Sequence, residues 1–281
     1  MTRHLLHDHL AGFDALLSDL AARVTCESIM TPWCDVECVV GSHDRQTKER
    51  AMALMDRGRY SSVPLIDDAG RVHGRYIRWT PEGATAFENL QPHHFARPHM
   101  DAFSLLACMA EHRQIAMFVG DASDSGPPAG WITFADFSKR PFRMLLFAIV
   151  SEAEYLLARA IDQKHPRDGW LEFAGALSEA ERAELIKRRN EAREWDALMP
   201  LTTFAEIGDL VRVACASPAV CARLGLSAGD SDRLRMIADL RNRVAHTVRP
   251  VVAGPGAIQT TAAQVRLLRE LIERWTAATA G

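Results

Sequence analysis

Apolar residues recur at helical spacing at the start of the chain and through its second half. Residues 2–22 predict an amphipathic lead-in helix, because apolar side chains return there every three or four positions. The stretch "RQTKERAMALMDRG" predicts a second helix. The stretch "YSSVPLIDDAGRVHGRYIRW" then predicts two strands joined by an Asp-Asp-Ala-Gly turn. Helix and strand therefore alternate in the first half.

The same order of elements returns about 55 residues later, which makes it an internal repeat. The second copy contains the helix "MDAFSLLACMAEH", the strand "QIAMFVG", a turn rich in Gly, Pro and Ser, and the strand "GWITFADF". In this alignment Gly74 corresponds to Gly130. A unit of this size is too small to bury a full sheet face, so we expect the two copies to pack around a pseudo-twofold axis.

Strand patterns end at Pro141, and residues 141–278 predict a bundle of about five helices joined by short loops. One of these helices opens on the capping-box pattern from Ser178 to Glu181. The predicted fold class is α+β, with a lead-in helix over residues 1–23, a repeat domain over 24–140 and an all-α helical bundle over 141–281.

Composition narrows the classes of function. The chain has 281 residues and a net charge of −3, without the global basic excess typical of nucleic-acid-binding proteins, so any RNA contact must be a local patch. Six cysteines without a CxxC pair argue against a structural zinc site and for a reducing compartment. We see no signal peptide and no apolar run of the ~20 residues that a membrane span needs. We therefore expect a cytoplasmic protein with no metal and no membrane partner.

The repeat resembles a tandem CBS domain, the Bateman module, over roughly residues 24–140. The resemblance is carried by "IMTP", "SVPLIDDAGRVHG" and "GWITFAD". It implies a βαββα module that binds an adenine nucleotide (ATP, ADP or AMP) as a regulatory ligand. The implied binding residues are Gly130, Ile132, Thr133 and Asp136. A carboxylate suits ribose hydroxyls, and a hydroxyl at a helix N-terminus suits a phosphate; the alternative is a simple helix cap.

The first copy departs from this motif. Ile77 falls where Thr133 falls in the second copy, and Thr80 falls where Asp136 falls. We therefore expect one good nucleotide site per chain. Nothing in the motif reads the base, so the three adenine nucleotides and a cyclic dinucleotide remain open as ligands.

The stretch "RNRVAH", on the penultimate predicted helix, resembles the signature of HEPN domains, which are dimerising helical bundles and in many cases ribonucleases. The resemblance implies that Arg241 and His246 are catalytic and that Asn242 accompanies them. A histidine can exchange a proton with a ribose hydroxyl or the leaving oxygen, and an arginine can hold the phosphate. The implied function is a nucleotide-regulated, metal-independent endoribonuclease acting as a homodimer on RNA, with a role in phage defence or as a toxin.

A helical wheel divides this motif. Asn242 and His246 fall on a polar stripe, whereas Arg241 falls on the apolar side, where a guanidinium needs a partner. Either that side is a dimer seam that brings Arg241 and His246 of two copies together, or Arg241 pairs with Glu152 or Glu154 of its own chain. The second case favours a non-catalytic, nucleotide-sensing dimerisation or adaptor protein.

Overall fold

In the computed structural model, the described residues are 19–78, 83–123, 126–172, 177–194, 199–227, 230–246 and 248–280. They divide into two compact units. The first, here called the sheet unit, comprises residues 19–145 and 248–263; the second, the helical unit, comprises residues 146–246 and 264–280. Residues 19–23 are helical, and the rest of the predicted lead-in helix lies outside the described residues.

The sheet unit contains eight short strands. They are β1 (Thr31–Pro32), β2 (Val39–Val40), β3 (Ser62–Ile66), β4 (Val72–Ile77), β5 (Ala86–Asn89), β6 (Phe95–Ala96), β7 (Ala116–Val119) and β8 (Gly130–Thr133). The helix α1 (Cys26–Ile29) precedes β1, and the helices α2 (Arg45–Gly58) and α3 (Ala102–Glu111) lie between strands. A 3-10 turn over Phe134–Ser138 follows β8.

The strands form two four-stranded sheets that confirm the internal repeat. Their orders are β2-β3-β4-β5 and β1-β8-β7-β6. In each sheet one parallel pair, β2 with β3 or β6 with β7, is separated along the chain by a helix, and the remaining pairs are antiparallel. The sequence pattern did not predict β1 and β5. β1 precedes the first repeat yet closes the second sheet, and β5 precedes the second repeat yet closes the first.

Local chemistry explains where α2 begins and ends. The Asp44 side chain accepts a hydrogen bond from the Thr47 amide at 2.8 Å and so caps the first turn. The helix ends at Arg59, whose φ of 54° is left-handed. Its buried side chains Ala51 and Met55 pack in one cluster with residues of three strands: Val39, Val63, Leu65 and Tyr76.

Two glycines allow the edge strands to approach closely. A Cβ added to Gly130 would lie 2.7 Å from the carbonyl oxygen of Thr31 on β1. A Cβ added to Gly74 would lie 2.7 Å from the carbonyl oxygen of Glu88 on β5. Backbone oxygens cannot yield as a flexible side chain can, so both positions require glycine.

The remaining helices are α4 (Arg140–Lys164), α5 (Glu179–Glu194), α6 (Ile207–Ala216), α7 (Pro218–Leu224), α8 (Asp230–Ala245) and α9 (Ala257–Ala280). The described residues thus have six helices after residue 139 rather than the predicted five or so, because Ser217 caps a separate short helix that begins at Pro218. The predicted capping box is confirmed: the Ser178 amide donates to Glu181 Oε2, and the Glu181 amide donates to Ser178 Oγ. The interior of the helical unit is mainly aliphatic, with Leu156, Val213, Leu240 and Leu268 fully buried, and it also encloses Trp170 and Trp275.

We predict that Gly130→Ala lowers the free energy of unfolding by about 1–3 kcal/mol, because the new methyl group must displace β1 from β8. The matched control is Gly126→Ala, where nothing lies within 4 Å of the added Cβ. Urea unfolding followed by circular dichroism measures both variants. Equal midpoints for the two variants would show that β1 does not approach β8 this closely.

Candidate functional site

A cavity of about 320 Å³ lies in the sheet unit beside the end of β8. This cavity, here called the Thr133 cavity, collects residues from β1 and the segment after it, from the start of β3, from β8 and from the 3-10 turn. The lining residues are Thr31, Asp35, Val36, Glu37, Arg59, Tyr60, Ser61, Ser62, Pro64, Trp131, Thr133, Phe134, Ala135 and Asp136. The volume falls at the lower end of the range for small-molecule sites.

Of the four residues expected to bind a nucleotide, the structure places two in this cavity. Thr133 and Asp136 line it, whereas Gly130 and Ile132 do not. Ile132 is fully buried, and Gly130 serves the close approach of β1. These two residues therefore support the strand that carries Thr133 rather than forming the wall of the cavity.

The Asp136 carboxylate is bonded within its own chain. Its Oδ2 atom accepts hydrogen bonds from the Thr133 amide at 2.6 Å and from the Thr133 hydroxyl at 2.9 Å. Its Oδ1 atom lies 2.8 Å from the Lys139 ammonium and accepts a longer bond, 3.3 Å, from the Thr31 hydroxyl. Asp136 is 5% exposed. The helix-cap arrangement is therefore present, and a ligand that reaches Asp136 has to take the place of one of these donors.

Lys139 connects the motif to the start of the first repeat. Its ammonium group donates to the carbonyl oxygens of Ile29 at 2.8 Å and Met30 at 2.9 Å, besides its ion pair with Asp136. These carbonyls belong to the segment that leads into β1. One cation thus fixes the positions of both Asp136 and Thr31, and α4 begins at the next residue.

The rest of the Thr133 cavity is part aromatic and part polar. Tyr60 is exposed at the cavity, and a hydrogen bond from its hydroxyl to Glu37 raises the pKa of Tyr60. Trp131, Val36 and Pro64 supply apolar surface. Arg59, the one arginine among the lining residues, supplies a positive charge. The wall thus combines apolar faces, hydroxyls, one guanidinium and three carboxylates, those of Asp35, Glu37 and Asp136. These are groups for binding a polar molecule that has a flat apolar part.

The repeat creates a counterpart of this cavity in the first sheet. Trp131 pairs with Thr31 across β8 and β1, and Arg75 pairs with Glu88 at the same register across β4 and β5. In each strand the paired residue comes directly after a glycine, Gly130 before Trp131 and Gly74 before Arg75, and the two glycines make the same close contact with the neighbouring strand. Arg75 and Glu88 therefore stand where Trp131 and Thr31 stand in the Thr133 cavity.

Two further residues complete this correspondence. Arg59 and Arg113 follow α2 and α3 with matching left-handed φ angles of 54° and 52°, so Gln114 corresponds to Tyr60. Ala116 corresponds to Ser62, because Ala116 pairs with Thr133 as Ser62 pairs with Ile77. Thr80, the counterpart of Asp136, lies outside the described residues.

An ion-pair network fills the counterpart position. The Arg75 guanidinium donates to Glu88 Oε2, from Nε at 2.8 Å and from Nη2 at 2.6 Å, and also to Gln114 Oε1 and the Ala116 carbonyl. Arg75 is only 1% exposed. Burial is tolerated because every bond partner is supplied by the chain. We call these side chains the Arg75 network.

His94 lies beside this network without adding charge to it. Its Nε2 atom is 3.9 Å from Glu88 Oε2. Burial, together with the nearby Arg75 charge, lowers the pKa of His94 to about 4. The imidazole is therefore neutral at pH 7, and Glu88 stays available to Arg75. Sequence reasoning missed this network; the available signal was the arginine on β4 at the position that tryptophan occupies on β8.

The "RNRVAH" motif lies at the end of α8, as the sequence predicted. Asn242 and His246 are exposed, and the His246 amide donates to the Asn242 carbonyl at 3.3 Å. Arg241 Nε donates to Glu154 Oε1 on α4 at 3.2 Å, with the two side chains 31% and 26% exposed. Of the two acids considered as internal partners, Glu154 rather than Glu152 makes this pair. The place of Arg241 on the apolar side therefore does not require a second subunit.

Two classes of site are not found in the described ranges. No cluster of three or more His, Cys, Asp or Glu side chains there could hold a metal ion. Among the helices described, none combines the length and the apolar content needed to cross a membrane.

The chain is similar to solved structures of CBS-domain proteins. The CBS domain of a bacterial CNNM/CorC family Mg²⁺ transporter in complex with ATP is 21% identical, covers 47% of this chain and 93% of its own, and has a TM-score of 0.32. A hemolysin-like protein containing a CBS domain from Oenococcus oeni is 16% identical, with coverages of 46% and 97% and a TM-score of 0.34. An uncharacterized conserved protein from Pyrococcus horikoshii is 21% identical, with coverages of 42% and 95% and a TM-score of 0.32. No family model and no curated protein matches. Because these TM-scores are low, the conclusions about the site come from its geometry alone.

We predict a pH-dependent loss of stability for Arg241→Met. Burial raises the pKa of Glu154 above its ordinary 4.5, and the Arg241 charge opposes that rise. Without Arg241, the partly buried Glu154 carboxylate should cost about 1–3 kcal/mol of unfolding free energy at neutral pH. The loss should shrink as the pH falls through the raised pKa, because the protonated carboxyl no longer needs a cation.

Urea unfolding from about pH 7 to about pH 5 measures this effect. The control is Arg235→Met, which breaks the exposed pair with Asp232 on the same helix and should change stability little at either pH. A loss in Arg241→Met that does not vary with pH would show that Glu154 is not its partner.

Proposed function

We propose that the sheet unit is a CBS pair that binds one adenine nucleotide per chain in the Thr133 cavity and acts as a regulatory sensor. The observation that carries this proposal is the meeting of Thr133 and Asp136 with Tyr60 and Trp131 around one cavity. These groups match the three parts of a nucleotide, which are a phosphate, a ribose and a flat base.

The contacts follow from the chemistry of the lining groups. The ribose hydroxyls donate to Asp136, replacing the long bond from the Thr31 hydroxyl. The phosphate lies near Arg59, because a guanidinium binds phosphate oxygens in pairs. It accepts from the Thr133 hydroxyl, which then gives up its hydrogen bond to Asp136 Oδ2. The base lies against Tyr60 and Trp131. Which of ATP, ADP and AMP binds best depends on how many phosphates Arg59 reaches.

The ligand can act on α4 through Lys139. Binding at Asp136 changes the carboxylate that holds the Lys139 ammonium. Lys139 is followed directly by the first residue of α4, Arg140, and the later residues of that helix belong to the helical unit. A shift in the Asp136–Lys139 pair is therefore the route by which the nucleotide is sensed. Coupling of this kind is a free energy that binding measurements can quantify.

One nucleotide per chain is expected because the Arg75 network fills the counterpart position. A second nucleotide would have to separate Arg75 from Glu88, Gln114 and the Ala116 carbonyl at once. Breaking a buried charge network costs several kcal/mol. The two halves of the repeat are thus unequal in binding although they share a backbone plan.

We predict that Asp136→Asn and Tyr60→Ala each raise the nucleotide dissociation constant about tenfold or more. The first variant removes charge-assisted hydrogen bonds to the ribose, and the second removes a face for the base. Calorimetric titration of ATP, ADP and AMP into the full chain measures affinity and stoichiometry together. The matched control is Asp68→Asn, an exposed carboxylate outside the cavity, which should bind like wild type.

Wild-type protein that binds none of the three nucleotides would contradict the proposal. Equal affinities for Tyr60→Ala and Asp68→Asn would place the ligand elsewhere. Circular dichroism of each variant separates loss of binding from loss of fold.

A second candidate is a metal-independent endoribonuclease formed by two copies of the chain, with Arg241, Asn242 and His246 as catalytic residues. The exposure of Asn242 and His246 on the last turn of α8 favours it. RNA phosphate would have to compete with Glu154 for the Arg241 guanidinium, and this pairing favours the non-catalytic adaptor instead. A role in phage defence or as a toxin applies only to the ribonuclease.

Incubation of the protein with labelled RNA in EDTA, with and without AMP or ATP, tests this candidate. The ribonuclease hypothesis predicts cleavage products ending in 2′,3′-cyclic phosphate, which His246→Ala abolishes and the control His112→Ala keeps. Inert wild-type protein under every condition would leave the adaptor function. Equal cleavage by wild type and His246→Ala would exclude His246 as the catalytic base.

A further inference from the structure

A second cavity, of about 800 Å³, lies in the sheet unit and shares no lining residue with the Thr133 cavity. We call it the Arg97 cavity. It lies between the segment that follows β6, residues 120–122 and 126–129 of the connection from β7 to β8, and the start of β4. Its volume is within the range of sites that enclose a small molecule.

Part of the wall is apolar and continuous with the core. Val72, Leu90 and Phe95 line the cavity and also pack against the buried cluster of Phe118 and Trp131. Pro127 and Pro128 add stiff apolar surface. A wall of this kind holds its shape without a ligand and suits the organic part of a small molecule.

Two basic side chains on the wall are held in place by an acid outside it. Asp67 Oδ2 lies 2.8 Å from Arg71 Nε and 3.3 Å from His73 Nε2. Amide donors to Asp67, that of Arg71 first, keep the pKa of Asp67 at about 2, so the carboxylate remains charged. Arg71 uses Nε for this pair, and its two terminal nitrogens have no hydrogen-bond partner in the part of the chain that the structure describes. Arg71 is therefore oriented before any ligand arrives.

Two more basic side chains follow β6. Arg97 and His99 are exposed and line the cavity. Neither side chain forms a hydrogen bond or an ion pair with any residue that the structure describes. One carboxylate, Asp121, also lines the cavity. Hydrogen bonds from the Ser123 amide and hydroxyl, both accepted by Asp121 Oδ1, lower the pKa of Asp121, and the charge of Arg97 adds to this effect. The Arg97 guanidinium, which forms no ion pair with a described residue, is thus available to a ligand.

We propose that the Arg97 cavity binds a small phosphate ester whose organic part is apolar. Guanidinium groups bind phosphate oxygens two at a time, and Arg71 and Arg97 bring two of them to one cavity. The apolar side chains take the organic part. This site is separate from the nucleotide site and does not depend on it.

Phenyl phosphate is the probe, titrated into the full chain by calorimetry. Arg97→Glu should raise its dissociation constant at least about tenfold, whereas Arg45→Glu, the same change at a highly exposed arginine on α2, should leave it within about twofold. Tyr60→Ala, in the Thr133 cavity, should also leave it unchanged. Inorganic phosphate should bind wild type about tenfold more weakly than phenyl phosphate, because it lacks the apolar part.

Any of four results would overturn the proposal. The first two are no saturable binding of phenyl phosphate to wild type, and binding of it with equal affinity by Arg97→Glu and Arg45→Glu. The other two are binding that is weakened by Tyr60→Ala and not by Arg97→Glu, and binding of phosphate and phenyl phosphate equally well by wild type. If circular dichroism shows that Arg97→Glu is unfolded, Arg97→Gln and His99→Ala replace it, and binding unchanged in both contradicts the proposal. Nucleotide binding measured on the same variants reports separately on the Thr133 cavity.

Discussion

The exchange of edge strands between the two repeats is the constraint on which the sheet unit depends. β1 closes the second sheet and β5 closes the first. Both strands lie so close to their partners that only glycine fits, at Gly130 against the Thr31 carbonyl and at Gly74 against the Glu88 carbonyl. Because of this exchange, Thr31 meets Asp136, which lies 105 positions later in the chain. The Thr133 cavity exists only because the repeats interlock.

The same exchange produces two equivalent positions, and a few side chains make them different. In the second sheet, Trp131 and Thr31 leave a cavity. In the first sheet, Arg75 and Glu88 occupy the corresponding space with an ion pair that Gln114 and a backbone carbonyl complete. A buried guanidinium is stable only with its partners in place, so this half is closed by the same bonds that stabilise it. Binding is therefore unequal without any change in the backbone plan.

Local patterns predicted much of this architecture. The stretch "RQTKERAMALMDRG" is α2 residue for residue, and the repeated strands and the Ser178 capping box also lie where the pattern indicated. β1 could not be predicted, because two residues show no alternation and its partner β8 is about 100 residues away. β5, with the sequence Ala-Phe-Glu-Asn, lacks the β-branched and alternating apolar residues that mark a strand. In the site, the motif identified Thr133 and Asp136, but Tyr60 and Thr31 enter only through the fold. No partner could be assigned to Arg75 from the sequence, because its acid, Glu88, lies on an unpredicted strand. The wheel placed Arg241 on the apolar side, where a guanidinium needs a partner, and in the structure that partner is Glu154. The wheel could not choose between Glu152 and Glu154, because residues two positions apart on a helix point to different sides.

A crystal structure of the full chain grown with an excess of AMP or ATP tests the central claim most directly. The account predicts one nucleotide per chain in the Thr133 cavity, with its ribose on Asp136, the Thr31 hydroxyl displaced, and Arg75 still bonded to Glu88 and Gln114. A nucleotide in place of the Arg75 network, or an empty Thr133 cavity at saturating nucleotide, would contradict it.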